Sequence, residues 1–176
     1  DAETVINRSA LTTNWGEGYP AFGVMNGGFL PIIGQLFNMD TSGTASSRHG
    51  ISAYSNSRAI VLGGCGVKNA GHFGIYANRS STINADGVNA SGAGTTGIYA
   101  THGSTINAGG ANASGAGSYG IYATRSSTIN AGGADASGAG TTGIYATHGS
   151  LINAIGATGT LNQAKNTLTA NGIIFQ

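Results

Sequence analysis

Charge is scarce in this chain. Its 176 residues hold seven lysines and arginines against six acids, for a net charge of +1. A nucleic-acid partner needs a broad cationic face, and none can be built from so few basic groups. The acids Asp1, Glu3, Glu17, Asp40, Asp86 and Asp135 are scattered. A glycosidase needs two carboxyls roughly 5–10 Å apart. Asp40 is the only central candidate in the irregular part and has no evident partner, so no hydrolase pair is expected within one chain. The single cysteine, Cys65, excludes an internal disulfide and leaves the redox compartment open. No apolar run approaches the ~18 residues of a membrane span, so no membrane insertion is expected. The chain starts at Asp1 with no apolar signal core before Val5, and it reads as a processed or excised fragment. His49 and His72 lack metal-ligand spacing, and neither a metal nor a cofactor is expected.

Glycine is the abundant residue, with 32 copies, while proline occurs only twice and no Gly-X-Y triplet runs through the chain, which excludes collagen. Low charge also separates the sequence from most disordered segments. The organising feature is a repeat. Gly-Ile-Tyr-Ala begins at Gly74, Gly97, Gly120 and Gly143, and Gly50-Ile51-Ser52-Ala53 is an earlier copy. Ser-Thr-Ile-Asn-Ala begins at Ser81, Ser104 and Ser127, with a variant at Ser150. A third segment follows the pattern of residues 88–94. Each coil, of about 23 residues, therefore reads as three short strands joined by Gly/Ser/Asn turns.

Alternation assigns the faces. Ile75 and Ala77 point one way and Tyr76 the other; Ile83 and Ala85 oppose Asn84. The apolar set faces a shared interior. Ile51, Ile75, Ile98, Ile121 and Ile144 make one expected column, and Ile60, Ile83, Ile106, Ile129 and Ile152 a second. Cys65 falls in the inward column of Val88, Ala111, Ala134 and Ala157, as a buried structural thiol. The fold expected is all-β, a right-handed parallel β-helix. Residues 1–49 are read as wider irregular coils or an N-terminal cover, 50–165 as regular repeats, and 166–176 as a C-terminal capping strand over the last coil. Arg79, His102, Arg125 and His148 alternate, so block 74–119 resembles block 120–165, as a duplicated pair of coils would.

Two outward rows are candidates for binding. Tyr76, Tyr99, Tyr122 and Tyr145 form an aromatic strip with hydroxyl tips, suited to packing against sugar C–H faces or against a neighbouring subunit. Arg79, His102, Arg125 and His148 follow three residues later, near a turn. They form a weakly basic row suited to the carboxylates of an acidic polysaccharide, or simply a solubilising turn position. The Asn84, Asn107, Asn130 and Asn153 column reads as an amide ladder that stabilises stacking, and the Thr82/Thr105/Thr128 and Ser81/Ser104/Ser127 columns read the same way.

Residues 120–131, Gly-Ile-Tyr-Ala-Thr-Arg-Ser-Ser-Thr-Ile-Asn-Ala, and the ending Leu-Thr-Ala-Asn-Gly-Ile-Ile-Phe-Gln of residues 168–176 resemble the distal β-helix of bacteriophage tailspikes. The likeness is to the capsule-degrading spikes of coliphages, including lyases of heparosan-type capsules, and covers about residues 50–176. It implies a homotrimer on a virion tail, extracellular, that engages a host cell-surface polysaccharide. Lyases of this kind use a base and a charge-neutralising cation, often Tyr, His, Lys or Arg. No complete motif matches, so no catalytic residue is carried over, and whether cleavage belongs to this piece stays open. Gly/Ala/Asn coils also occur in bacterial adhesins. A non-enzymatic adhesin or passenger β-helix, and a structural or ice-binding rod, are therefore the alternatives.

Overall fold

A computed structural model describes residues 22–33, 38–40, 49–159 and 171–176. The fold is a β-solenoid of about 5 turns, with about 23 residues per turn and every strand pairing parallel. Two sheets and a bridge line run along it. The first sheet stacks Phe22–Val24, Ile51–Tyr54, Phe73–Asn78, Thr96–Thr101, Tyr119–Ala123 and Thr142–Ala146. The second stacks Phe29–Ile33, Arg58–Val61, Thr82–Asn84, Thr105–Asn107, Thr128–Asn130, Leu151–Asn153 and Ile173–Phe175. On the third side Asn38–Asp40 pairs with Gly66–Lys68. Single bridges continue that line through Asn89, Asn112, Asp135 and Thr158. At an inter-strand spacing of about 4.8 Å, five turns make a rod roughly 25 Å long.

The interior follows from the alternation. Ile51, Ile75, Ile98 and Ile121 are fully buried, and so are Ile83, Ile106, Ile129 and Ile152 opposite them. Each contributes roughly 1.5–3 kcal/mol of burial. The third side supplies Cys65, Val88, Ala111 and Ala134, all fully buried, as the column arithmetic expects. One expected column is corrected. Ala59, not Ile60, pairs with Ile83, and Ile60 pairs with Asn84 on the outer face. The coil from Ile51 to Ile75 spans one residue more than the later ones. Counting back in steps of 23 therefore slips by one, and a slip of one reverses the face.

The motif glycines mark where coils touch. A Cβ on Gly97 would lie 2.7 Å from the Gly120 carbonyl oxygen and 2.7 Å from Ala113 Cβ; Gly74 and Gly120 meet the same obstacles. A serine ladder lies behind the next corner. The Ser57, Ser81, Ser104 and Ser127 N–H groups donate to the Oγ of Ser81, Ser104, Ser127 and Ser150 at 3.0–3.2 Å. The serine column is thus structural, as expected, and is buried.

The two ends depart from the regular period. Phe22 pairs with Ile51, 29 positions on, so the first described coil is longer than the rest. At the other end Ile173–Phe175 lies on Leu151–Asn153. Most of segment 1–49, and residues 160–170, lie outside the described residues.

Candidate functional site

The outer surface of the first sheet carries the tyrosine row. Direct register sets Tyr76, Tyr99, Tyr122 and Tyr145 beside one another. Strand spacing then forces the rings into a stack, with centroids 5.2, 5.0 and 5.2 Å apart and planes within 20°. Ring faces inside the stack cover one another, so the row offers edges and hydroxyls, not free faces for sugar C–H groups. Phe73 and Tyr119 stand at the start of their strands and lean over the same rings, at 4.8 and 4.9 Å from Tyr76 and Tyr122. Burial pushes the Tyr76 and Tyr99 phenols above their ordinary pKa, so both are neutral hydroxyls at physiological pH.

Two residues beyond each tyrosine, and beyond Ser52 in the earlier coil, is a second column: Tyr54, Asn78, Thr101, Thr124 and Thr147. The three threonines are 1, 4 and 2 % exposed. They lie sheltered between the tyrosines and the corner. Asn78 Nδ2 donates to the Tyr76 hydroxyl at 2.9 Å.

The corner itself carries Arg79, His102, Arg125 and His148, all exposed. All four have left-handed backbone, with φ of 55, 53, 54 and 51°, and the next residue of each is left-handed too. In the earlier coils the same corner is Asn26-Gly27 and Ser55-Asn56. Two left-handed residues in succession turn the chain from the first sheet into the second. Asparagine and glycine adopt that conformation readily, histidine less so, and arginine at a cost of about 1 kcal/mol or more. Arg79 acts electrostatically on Tyr76 and Arg125 on Tyr99, each drawing the phenol pKa down against the larger effect of burial. The His102 Nδ1 lies 3.1 Å from Thr101 Oγ1, and the His148 Nδ1 lies 3.0 and 3.2 Å from the Oγ1 atoms of Thr147 and Thr124. The eight residues singled out in the sequence thus fall on one strip, phenols on one side and basic groups on the other. The threonine column between them was not anticipated, although Ala-Thr recurs before the corner from Ala100 onward.

A further cluster closes the N-terminal end of the tyrosine stack. His49, His72 and Phe73 lie ring to ring, with His49–Phe73 at 4.8 Å and 6° and His72–Phe73 at 3.7 Å. His49 also meets Tyr76 at 5.1 Å, and Tyr54 meets Tyr76 edge-on at 5.2 Å. Burial, then the neighbouring His72, lowers the His49 pKa to about 4.

The other candidates have local structural partners. Asp86 Oδ1 accepts from the Gly109 N–H, and Asp135 Oδ1 accepts from the Ser137 N–H and from Thr158 Oγ1. Hydrogen bonds from Ser137 hold the Asp135 carboxyl below its ordinary pKa. In the asparagine column Asn130 Nδ2 donates to Asn107 Oδ1, whereas Asn84 and Asn153 accept from backbone two residues on. Amide-to-amide pairing is therefore only part of that column's role. Among the described residues no His/Cys/Asp/Glu group has the makings of a metal site, and no helix is long and apolar enough to cross a membrane. No protein-family model matches the chain, and no curated protein or solved structure is significantly similar to it.

Proposed function

We propose that this solenoid is the distal β-helix of a bacteriophage tailspike, and that its phenol-and-base strip binds an acidic capsular polysaccharide of the host. The observation that carries this reading is the corner row. Four long basic side chains occupy left-handed positions that earlier coils fill with asparagine or serine. Backbone strain kept in register over four coils calls for a reason beyond solubility. Guanidinium and imidazole groups one coil apart, roughly 4.8 Å along the axis, suit repeating carboxylates. The adjoining phenols supply neutral hydroxyls for sugar oxygens. In this reading the solenoid is right-handed, as parallel crossovers almost always are, and it assembles as a homotrimer on an extracellular virion tail.

In this reading the strip is a binding surface. A phenol held above its ordinary pKa, as at Tyr76 and Tyr99, is a poor base near neutrality. Lyase chemistry in this reading belongs elsewhere in the full-length protein or between subunits. The same feature supports a second reading, a non-enzymatic bacterial adhesin or passenger rod with the same glycan-binding strip. Sedimentation separates the two readings, because a spike forms a stable trimer and a passenger rod a monomer. Glycan binding is tested by titrating acidic and neutral capsular polysaccharides at low and high salt. Salt-sensitive binding of the acidic polymers alone is expected, without formation of unsaturated uronate. Equal affinity for neutral polymers would remove the basis of the proposal.

A further inference from the structure

We infer that copies of this chain meet through the outer face of the second sheet, with Leu151, Ile155, Ile173 and Phe175 as the apolar part of the contact. This rests on the homotrimer of the reading above and names the face that builds it. Two columns make up the middle of the face. Thr82, Thr105 and Thr128 stand in register in one, and Asn84, Asn107 and Asn130 in the other. Between them lies a buried isoleucine in each coil. At the C-terminal end the face turns apolar. Leu151 pairs with Thr128 and Ile173 with Leu151, while Phe175 pairs with Asn153. Ile155, 23 residues after Gly132, replaces a corner glycine. Ile174 packs against the core, which turns Ile173 and Phe175 outward. Ile155, Ile173 and Phe175 are 61, 48 and 50 % exposed. Stacking does not require these side chains, because threonine and asparagine serve the same columns in the preceding coils. A cluster of large apolar side chains held in water marks a contact surface.

Charge identifies the occupant. Arg58, near the far end, is the only charged residue in the seven strands of this sheet. A strongly charged partner would find nothing to pair with along the remaining strands. A copy of the same face fits. Threonine hydroxyls and asparagine amides both donate and accept, so like meets like without repulsion. Rotation about an axis parallel to the rod brings equal heights together, apolar end against apolar end and Thr/Asn against Thr/Asn. The other sides do not fit a copy in this way. The corner row would set Arg79 and Arg125 against their own copies. On the third side, Asn89, Asn112, Asp135 and Thr158 offer no apolar contact. Copies joined through the second sheet leave the tyrosine row of the first on the outside of the assembly.

Sedimentation of the whole chain tests the assignment. In the triple variant Leu151→Thr/Ile173→Thr/Phe175→Asn, the patch takes the residues that the repeat itself uses in those columns, so the fold is kept; circular dichroism checks this. Wild type is expected to be a trimer at micromolar concentration. The triple variant should need at least tenfold more protein to assemble. Thr128→Arg is an independent probe, since Arg58 shows that this column accepts an arginine. It places like charges in the contact, so assembly should weaken at low salt and recover at high salt. A folded triple variant, or a folded Thr128→Arg protein, that assembles as tightly as wild type overturns the assignment of this face and leaves the trimer standing. A wild-type chain that sediments as a monomer overturns both the face and the trimer.

Discussion

Tyr99 and Tyr122 stack with ring centroids 5.0 Å apart and planes 5° apart. They are one coil apart in direct register. The contact is thus a consequence of the repeat, and stability and function divide within each tyrosine. The ring holds the stack, and the hydroxyl is the group left to bind a ligand. Tyr122→Phe should leave urea-unfolding stability within about 0.5 kcal/mol of wild type. Tyr122→Ala breaks contacts to Tyr99, Tyr119 and Tyr145. At about 0.5–1.5 kcal/mol per aromatic pair, it should cost roughly 2–3 kcal/mol.

Gly97→Ala should destabilise the solenoid by about 1–3 kcal/mol, the usual cost of overpacking. The added methyl has two obstacles at 2.7 Å, the Gly120 carbonyl oxygen and Ala113 Cβ, and neither can move without shifting a coil. Gly110 has nothing within 4 Å of its Cβ position, although its φ of 62° is left-handed. Gly110→Asn, which tolerates that backbone, should be near neutral by the same unfolding measurement.

Ser104→Ala removes the acceptor for the buried Ser81 N–H and should cost about 1–3 kcal/mol. Amide hydrogen exchange offers a local reading. Protection at Ser81 should fall well before protection at Ile75, which the change does not touch.

Acid should weaken the fold through His49. Above pH 6.5 its imidazole is neutral in the folded and unfolded chains alike. Between 6.5 and about 4 the unfolded chain takes up a proton that the folded chain refuses, so stability falls with pH; below about 4 both states carry it. The accumulated loss is on the order of 3 kcal/mol. Burial also lowers the His72 pKa, which acts in the same direction. Thermal unfolding of His49→Phe across this window should lose most of the slope that wild type shows.

The repeat made most of the fold legible. A period of 23 with Ile and Ala alternating against Tyr and Asn specifies parallel stacking and the identity of the core columns. It failed at Ile60 because one extra residue between Ile51 and Ile75 shifts the count, and Ala59 takes the inward place. The eight strip residues were visible as outward columns. Their neighbours on the strip were less so. Thr101 looked like any small polar residue, and its role depends on how the corner brings the next side chain back over it. The left-handed corner was equally hidden, since Arg-Ser and His-Gly are not the dipeptides that usually announce such a turn. The closed ring faces follow from strand spacing, which the pattern implied but composition alone did not.

The most direct test of the strip is the double variant Arg79→Asn/Arg125→Asn, titrated with an acidic capsular polysaccharide alongside wild type. Asparagine suits the left-handed backbone, so the variant should unfold at the same or slightly higher urea concentration. A charge-assisted hydrogen bond contributes about 1.5 kcal/mol or more, close to a factor of ten in affinity. Binding should therefore weaken at least tenfold, and its dependence on salt should become shallower. A folded double variant that binds the polymer as tightly as wild type, with the same salt dependence, would contradict the account.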